Sequence, residues 1–453
     1  MSRRLPAAFF LALLLCACRQ AAAPQPTGMI LFFTAQTHGR LTPCGCFTGQ
    51  YGGLSRLKTA LGHDLPADAV GVDLGDALEG GEDYQLLKYK EVLKAYASMN
   101  YAALNVGRTE ASLPAAALRR LAAESPIPLV SANLLDAATG KPLLPGWVVI
   151  NRGGLRIAFV GVLDPKVAQD SLGDGLAVED IETCLGRIVP QLKQSADVLV
   201  LMAFTDETEL DQLARDFYEF RVILGGDPSQ PAQSLLAENQ SLIYYTANES
   251  KSFGWLNLTF GADGSVTAGD HAVTLLNERY PEDQSVVALL GDYRAQVRGV
   301  KLSIDDPAHL WADEVPGAHA GATYVGSESC LGCHASAAMV WQHSAHSHAF
   351  QDLAARDADA DPSCIGCHTV GFGMPGGYRR EYGASKLTAV GCESCHGPGS
   401  IHVAQRQSGI TPVTFHFRPL AAGDCMKCHD GEFSRPFDWD KLWPQIQHGK
   451  EPM

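Results

Sequence analysis

The chain has 453 residues and a formal charge of −15, with 46% hydrophobic and 19% charged residues. That length admits two or three domains, and the composition is that of a folded globular protein with no low-complexity tract. The acidic balance argues against a nucleic-acid partner, because binding there needs Lys and Arg to neutralise phosphates. It permits a basic protein partner.

The first residues read as a targeting segment. Ser2-Arg3-Arg4 supplies positive charge, and Leu5 to Leu15 is apolar but too short to span a bilayer as a helix. Leu15-Cys16-Ala17-Cys18 resembles a bacterial lipoprotein signal, which makes residues 1–18 the signal peptide and Cys18 the lipidated residue. Ordinary signal cleavage near Ala21 to Ala23 is the alternative. Residues 19–28, with Ala22-Ala23-Pro24-Gln25-Pro26-Thr27-Gly28, read as a short linker. The expectation is an exported protein held by a lipid anchor, at the periplasmic face of a bacterial membrane or at the cell surface.

Residues 29–275 alternate apolar runs with helical spacing. Strands are predicted at Met29–Thr34, Ala69–Leu74, Leu129–Ala132, Ile157–Leu163, Val198–Phe204 and Val222–Leu224. Helices are predicted at Leu54–Leu61, Tyr84–Met99, Leu113–Ala123, Ile181–Gln194 and Glu207–Phe220. Such alternation predicts a layered α/β domain. Trp255–Phe260 and Ser265–Leu275, around Gly261-Ala-Asp-Gly264, predict a closing hairpin. Residues 276–320 follow as a connecting helix, Val286–Val300, and a linker.

Several segments of this region resemble the calcineurin-like metallophosphoesterases, especially the 5′-nucleotidase branch. Met29-Ile-Leu-Phe-Phe-Thr-Ala-Gln-Thr-His38-Gly39-Arg40 is similar to the opening strand with its T-N-D-x-H-G. Gly52-Gly-Leu-Ser-Arg56, Gly71-Val-Asp-Leu-Gly-Asp76, Gly107-Arg-Thr-Glu110, Ser131-Ala-Asn-Leu134 and Gly154-Leu-Arg-Ile-Ala-Phe-Val-Gly161 extend the match. The resemblance implies a metallophosphoesterase-like sandwich. Its two-metal chemistry needs a tight cluster of Asp, His and Asn, and of those positions only His38 and Asp76 remain, as a vestigial metal site. Gln36 replaces the first Asp, Arg108 and Thr109 replace the Asn and the catalytic His of G-N-H-E, and Gly225-Gly-Asp-Pro-Ser229 replaces G-G-H-x-H. The expectation is a pseudo-enzyme with no catalytic residue, the alternative being a single-metal site of His38, Asp76 and Asp227. Pro43-Cys44-Gly45-Cys46 lies in a nearby loop. Its thiols suit a soft-metal site, a local disulfide, a disulfide with Cys184 or redox chemistry.

From about Gly321 onward the apolar periodicity fades, and ten of the 15 His lie in this part of the chain. C-x-x-C-H occurs four times, at Cys330/Cys333/His334, Cys364/Cys367/His368, Cys392/Cys395/His396 and Cys425/Cys428/His429. Composition alone would give roughly 0.01 such motifs, so the repeats are not chance. C-x-x-C-H attaches c-type haem: the thiols bond to the porphyrin, and the adjacent His ligates iron from one side. Residues 321–453 thus read as a mostly α-helical, loop-rich tetrahaem domain, whose haems supply much of the core. Fewer than ~40 residues per haem leaves little else to form one.

Tyr324-Val-Gly-Ser-Glu-Ser-Cys330, Trp341-Gln-His-Ser-Ala-His346-Ser-His-Ala349, Val390-Gly-Cys-Glu-Ser-Cys-His-Gly-Pro-Gly-Ser-Ile-His402 and Trp443-Pro-Gln-Ile-Gln-His448-Gly449 resemble the multihaem cytochromes of the c-554 type. The resemblance implies distal ligands at His346, His402 and His448, with His416 as the fourth. His343 and His348 also lie in this part of the chain, so six His compete for four distal seats. In that family most haems are bis-His and one iron can stay open. The expectation is an electron carrier rather than an enzyme, serving redox protein partners, with the N-terminal domain docking partners or scaffolding a complex. The alternatives are a haem reductase with one open iron and a residual metal-dependent phosphoester hydrolase. The sequence leaves the oligomeric state open.

Overall fold

A computed structural model describes residues 27–43, 50–246, 250–261, 264–306, 321–383, 385–410, 420–429 and 437–449. The N-terminal part contains strands Thr27–Thr34 (β1), Val70–Asp73 (β2), Tyr101–Asn105 (β3), Leu129–Val130 (β4), Leu134–Asp136 (β5), Trp147–Arg152 (β6), Leu155–Leu163 (β7), Leu176–Val178 (β8), Val198–Phe204 (β9), Phe220–Gly225 (β10), Leu236–Glu238 (β11), Ser241–Tyr245 (β12), Ser252–Phe260 (β13) and Val266–Leu275 (β14). Helices are Leu54–Asp64 (α1), Asp83–Ala97 (α2), Arg108–Ala111 (α3), Ala115–Glu124 (α4), Pro165–Ala168 (α5), Ile181–Ser195 (α6), Glu207–Asp216 (α7) and Gln284–Gly299 (α8). Asp180, Asp206 and Asp283 cap α6, α7 and α8 by accepting backbone N–H bonds in the first turn. Helix α7 stops earlier than its periodicity predicts, because Phe220 is needed as the first residue of β10.

The strands form two six-stranded sheets, in the orders β14-β13-β1-β2-β3-β4 and β11-β12-β10-β9-β7-β6. The first runs parallel from β1 to β4 with antiparallel β13 and β14 on one side, and the second has a parallel centre between antiparallel edge strands β11 and β6. Side-chain alternation explains the layering. Leu31 and Phe33 point between the sheets toward Phe159, Val200 and Met202. Phe32 faces the opposite way, toward Leu57 of α1 and Val92 and Tyr96 of α2. Leu199 and Leu201 face Leu185, Ile188 and Leu210 on the far side. The result is the layered α/β sandwich predicted from the alternation. Strands β3, β5, β6, β8, β11 and β12 were not predicted, because Tyr-Ala-Ala-Leu-Asn and similar short stretches lack a distinctive period.

Asn105 at the end of β3 ties the two sheets together. Its buried Nδ2 donates toward the carbonyls of Leu74, Val162 and Met202, at 3.1, 3.0 and 3.2 Å. Cys184 is a buried thiol in α6, 3.2 Å from the Ala132 carbonyl and not part of a disulfide. Burial raises its pKa to about 12, and the partners suggested for it are Cys44 and Cys46. Those two residues, like residues 1–26, lie outside the described residues.

Beyond α8 come Glu328–Leu331 (α9), Ala335–Gln342 (α10), Ala349–Ala354 (α11), Pro362–His368 (α12), Cys392–His396 (α13), Ser400–Gln407 (α14), Ala422–Cys425 (α15) and Trp439–Ile446 (α16). The predicted connecting helix, α8, packs on both parts of the chain. Tyr293 and Val297 share a hydrophobic cluster with Tyr324, Phe350, Ile365 and Tyr378. Arg380 donates to Asp305 at 2.7 Å, and the Tyr293 hydroxyl donates to Asp361 at 2.9 Å. Among the described residues no helix is long and apolar enough to cross a membrane.

Replacing Asn105 by Ala leaves the three carbonyls without that donor. The expected cost is about 1–3 kcal/mol, read as a lower denaturant midpoint for loss of far-ultraviolet circular dichroism in the full-length protein.

Candidate haem sites and a remodelled metal centre

The parallel strands deliver the vestigial metal-site positions to one edge, just beyond their carboxyl ends. Gln36 and His38 follow β1, Asp76 follows β2, Arg108 and Thr109 follow β3, and Asp227 follows β10. Gln36, His38 and Asp76 hold positive φ values of 53°, 45° and 57°, a strained backbone typical of functional loops. The loops are held together by Gln36 N–H to the Gly75 carbonyl at 2.8 Å and His38 N–H to the Asp76 carbonyl at 3.0 Å. Gly107 is required by close approach, since a Cβ there would sit 2.3 Å from the Asp76 nitrogen.

The side chains have been rewired around this backbone. Asp227 accepts from the Gln36 amide at 2.9 Å on one oxygen and from Arg108 at 3.1 Å on the other. The Arg108 guanidinium thereby lies against the carboxylate that the single-metal alternative requires. Asp76 spends its carboxylate on the Thr109 backbone N–H at 2.7 Å. Among the described residues no group of three His, Cys, Asp or Glu is arranged to hold a metal ion.

Two further carboxylates, Asp73 and Glu110, are buried below this edge. Asp73 accepts from Thr34 at 2.7 Å, Tyr96 at 2.8 Å and the Gly75 N–H at 3.1 Å. Burial nevertheless raises its pKa to about 7. Glu110 accepts from the backbone N–H groups of Asp76, Leu78 and Gly107. Burial, reinforced by the Asp76 charge, raises it to about 8.

In the C-terminal part, each C-x-x-C-H lies at or beside a short helix. Three of the four motif histidines face a second imidazole brought from far along the chain. His334 faces His402 with ring centres 6.2 Å apart, His429 faces His346 at 6.0 Å, and His396 faces His448 at 5.9 Å. An iron–imidazole bond of roughly 2 Å on each side sets the ring centres about 6 Å apart, so the spacing leaves room for one iron within each pair. Burial, with help from neighbouring imidazoles, lowers the pKa of His346 and His396, and burial lowers that of His429. All three are thus biased toward the neutral form that a metal needs. The His448 Nδ1 donates to the Ile446 carbonyl at 2.8 Å, leaving Nε2 for coordination.

His368 differs. Its Nδ1 donates to the Ala349 carbonyl at 2.7 Å, and among the described residues no imidazole faces it at the separation seen in the other three pairs. His416 lies outside the described residues. His343 is exposed and bonds back to the Met339 carbonyl at 2.7 Å.

Cys330, Cys364, Cys367, Cys392 and Cys425 are partly buried, and Cys333, Cys395 and Cys428 are exposed. For Cys333 and Cys428 the exposure has a local cause. Each is the second thiol of its motif, and helices α9 and α15 end at Leu331 and Cys425, before reaching it. Both therefore stand on the turn that follows, on the solvent side of the polypeptide. In α12 and α13 the helix instead runs through to the motif histidine. There Cys367 is partly buried, and Cys395, though exposed, borders the cleft described next.

A cleft lies between the first and third motifs, lined by Cys330, His334, Trp341, Cys392, His396 and His448 among others, with Cys333 and Cys428 outside its lining. The Cys330 and Cys392 thiols lie within hydrogen-bonding reach of each other, placing two attachment motifs side by side. Glu393, inside the third motif, is buried and accepts from the N–H groups of Val325, Gly326 and Gly399 at 2.7–3.0 Å. It thereby fixes the segment that leads into the first motif. The sequence alone gives Glu393 no role. The only signal was a charged residue in an otherwise apolar Gly-Cys-x-Ser-Cys setting. The donor sets therefore fit c-type haem: thiols beside neutral imidazoles, apolar walls, and opposed rings at axial separation.

Residues 329–397 match the family described as cytochrome c554 and c-prime. That span holds the first three motifs and ends before Cys425, Cys428 and His429. Cytochrome c-554 of Nitrosomonas europaea is 40% identical over 95 residues, covering 18% of this chain and 40% of that protein. A 2′,3′-cyclic-nucleotide 2′-phosphodiesterase/3′-nucleotidase of Yersinia enterocolitica is 32% identical over 154 residues, covering 29% of this chain and 24% of that protein. The chain thus spans less than half the length of these curated relatives. In fold, the crystal structure of a 5′-nucleotidase precursor from Thermus thermophilus aligns with a TM-score of 0.53 at 22% identity, covering 60% of this chain and 59% of that one.

The pKa of Asp73 stands at about 7 in the fold against an ordinary 3.8. The folded state therefore binds the extra proton. The stabilisation is complete below pH ~4 and is lost as the pH rises through about 7, at up to roughly 1.4 kcal/mol per pH unit. Unfolding free energies measured across this window are expected to decline less steeply in Asp73→Asn than in the parent protein, with Glu110 supplying the slope that remains.

Proposed function

We propose that this chain, which joins a C-terminal domain of cytochrome c554 type to an N-terminal domain of calcineurin-like phosphoesterase fold, is an exported tetrahaem electron carrier. The observation that carries the reading is the set of three opposed imidazole pairs, each beginning at a C-x-x-C-H histidine. Cys330/Cys333, Cys364/Cys367, Cys392/Cys395 and Cys425/Cys428 would hold four haems by thioether bonds. When bound, haem iron supplies one-electron chemistry between its ferrous and ferric states. His334 with His402, His396 with His448 and His429 with His346 would fill both axial positions of three irons. That excludes small molecules from those irons and favours electron transfer over substrate chemistry.

The fourth seat supports a second reading. His368 has its proton donor engaged by the Ala349 carbonyl and faces no second imidazole among the described residues. An open position there would admit a small ligand, as a haem reductase requires. His416 is the remaining candidate to close it.

The N-terminal domain is read as non-catalytic, a scaffold or docking surface for redox protein partners. What supports this is the Arg108 guanidinium set against Asp227, beside the Gln36 amide, where a metal site needs acidic ligands. Cys18 as a lipid anchor would tether the protein at the periplasmic face of a membrane or at the cell surface.

Intact mass of the purified holoprotein is expected to exceed the mature polypeptide by four haems. Low-temperature electron paramagnetic resonance of the oxidised protein is expected to give low-spin signals for three haems. His402→Ala is expected to convert one of these to a high-spin, carbon-monoxide-binding form, and an unchanged spectrum would overturn the pairing with His334. A high-spin signal in the parent protein favours the reductase reading. Its absence, together with appearance of such a signal in His416→Ala, closes the fourth seat and leaves a pure carrier. Supplementation with manganese or magnesium is expected to give no turnover of a generic phosphoester, and metal-dependent turnover would sink the scaffold reading.

A further inference from the structure

Helix α12, which carries the second attachment motif, does not rest only on its own domain. Its first turn, at Ser363, meets a buried ion pair from the N-terminal part of the chain. The Lys88 ammonium of α2 lies 2.5 Å from Glu79 and donates to the Ser363 hydroxyl at 3.1 Å. That hydroxyl donates in turn to the other Glu79 oxygen at 3.2 Å. Lys88, Glu79 and Ser363 thus close a three-membered ring, one residue before Cys364. Cys364 and Leu87 pack against the hydrophobic cluster that joins the two parts of the chain. Tyr293 completes the surround, with the Lys88 ammonium 5.2 Å from its ring centre and its hydroxyl on Asp361.

Two features make this more than an incidental contact. The pair is largely withdrawn from water, with side-chain exposures of 11% for Lys88 and 20% for Glu79. Burial acts to lower the Lys88 pKa, but the Glu79 and Asp361 carboxylates hold it above the ordinary lysine value, so the ammonium keeps its charge. Glu79 also belongs to the loop that begins at the vestigial residue Asp76. Gly39, next to His38, closes over the pair so tightly that a Cβ there would lie 3.0 Å from Glu79 Oε2 and from Lys88 Cδ. The retained loops of the old metal edge therefore form the socket for one haem motif.

We propose that Lys88 and Glu79 are positioning residues for the haem site at Cys364, Cys367 and His368, through which the N-terminal domain sets the reduction potential of that site. A fixed charge in a low-dielectric setting acts strongly on a neighbouring redox centre, and charge, burial and hydrogen bonding are the levers by which a protein tunes haem. A cation at Lys88 disfavours the more positive ferric state and raises the potential, and an anion at Glu79 opposes it. This inference rests on the reading that a haem is attached at the second motif.

The test uses full-length holoprotein carrying Lys88→Met, Glu79→Gln or both, with a redox titration followed by optical and paramagnetic resonance spectra. The expected result is that Lys88→Met lowers the potential of one haem, Glu79→Gln raises that same potential, and the double variant returns close to the parent value. Shifts of the same sign in both single variants would mean that the contact only packs the interface, and would overturn the inference while leaving the haem assignment intact. Unchanged potentials in all variants would overturn it equally. Because Glu79→Gln keeps the hydrogen-bonding shape, it and the double variant decide the question if Lys88→Met alone does not fold. Peptide mass mapping that finds no haem on Cys364 and Cys367 of the parent protein would overturn both this inference and the four-haem reading.

Discussion

In the proposed arrangement two imidazoles stand on opposite sides of one iron, with about 6 Å between ring centres, and the C-terminal part of the chain holds three pairs of rings at that separation. Its helices are short, and its hydrophobic cluster is concentrated at the junction with α8. What remains is a set of turns that deliver His402, His346 and His448 to the faces of three motif histidines. Glu393 and the bond from the Trp341 indole to the Val390 carbonyl serve the same end by holding neighbouring motifs in register. Such a scaffold has little reason to hold its shape without the cofactor between its rings.

The N-terminal domain shows the opposite balance. Its sandwich is well packed by ordinary side-chain burial, with β9 buried along its whole length. Arg108 against Asp227, with the Gln36 amide on the other oxygen, satisfies the edge where cations would otherwise neutralise acidic groups. The strained backbone at Gln36, His38 and Asp76 persists because neighbouring loops still hydrogen-bond to it. The loops have acquired a different load, the contact with Ser363.

Legibility in the sequence followed locality. C-x-x-C-H is complete within five residues, so the attachment cysteines and their adjacent histidines were readable at once. The long apolar runs of β1, β7 and β9 and the periodic helices α2 and α6 were equally plain. The resemblance named His346, His402 and His448 as second ligands, but their pairing was hidden, because nothing in the order of residues says that His429 faces His346 rather than His416. Nothing in the sequence singles out Lys88 or Glu79. Their burial depends on α12, which lies far along the chain and had no visible link to α2. Asn105 and Glu393 escaped notice for the same reason, since their value comes from carbonyls and N–H groups contributed by distant segments.

The order of the opposed pairs has a consequence for biogenesis. His334 with His402, His346 with His429 and His396 with His448 form overlapping spans, each opening before the previous one has closed. In the proposed arrangement no segment can be finished by itself as the chain emerges. The first motif must wait for residue 402, and the third for residue 448. Covalent attachment is local and ligation is not, so the thioether bonds keep each cofactor on the chain while its second ligand is still to be made. Completion then becomes a concerted closure of interleaved loops. A break or shortening near His448 would reach back through that weave to the site at His396.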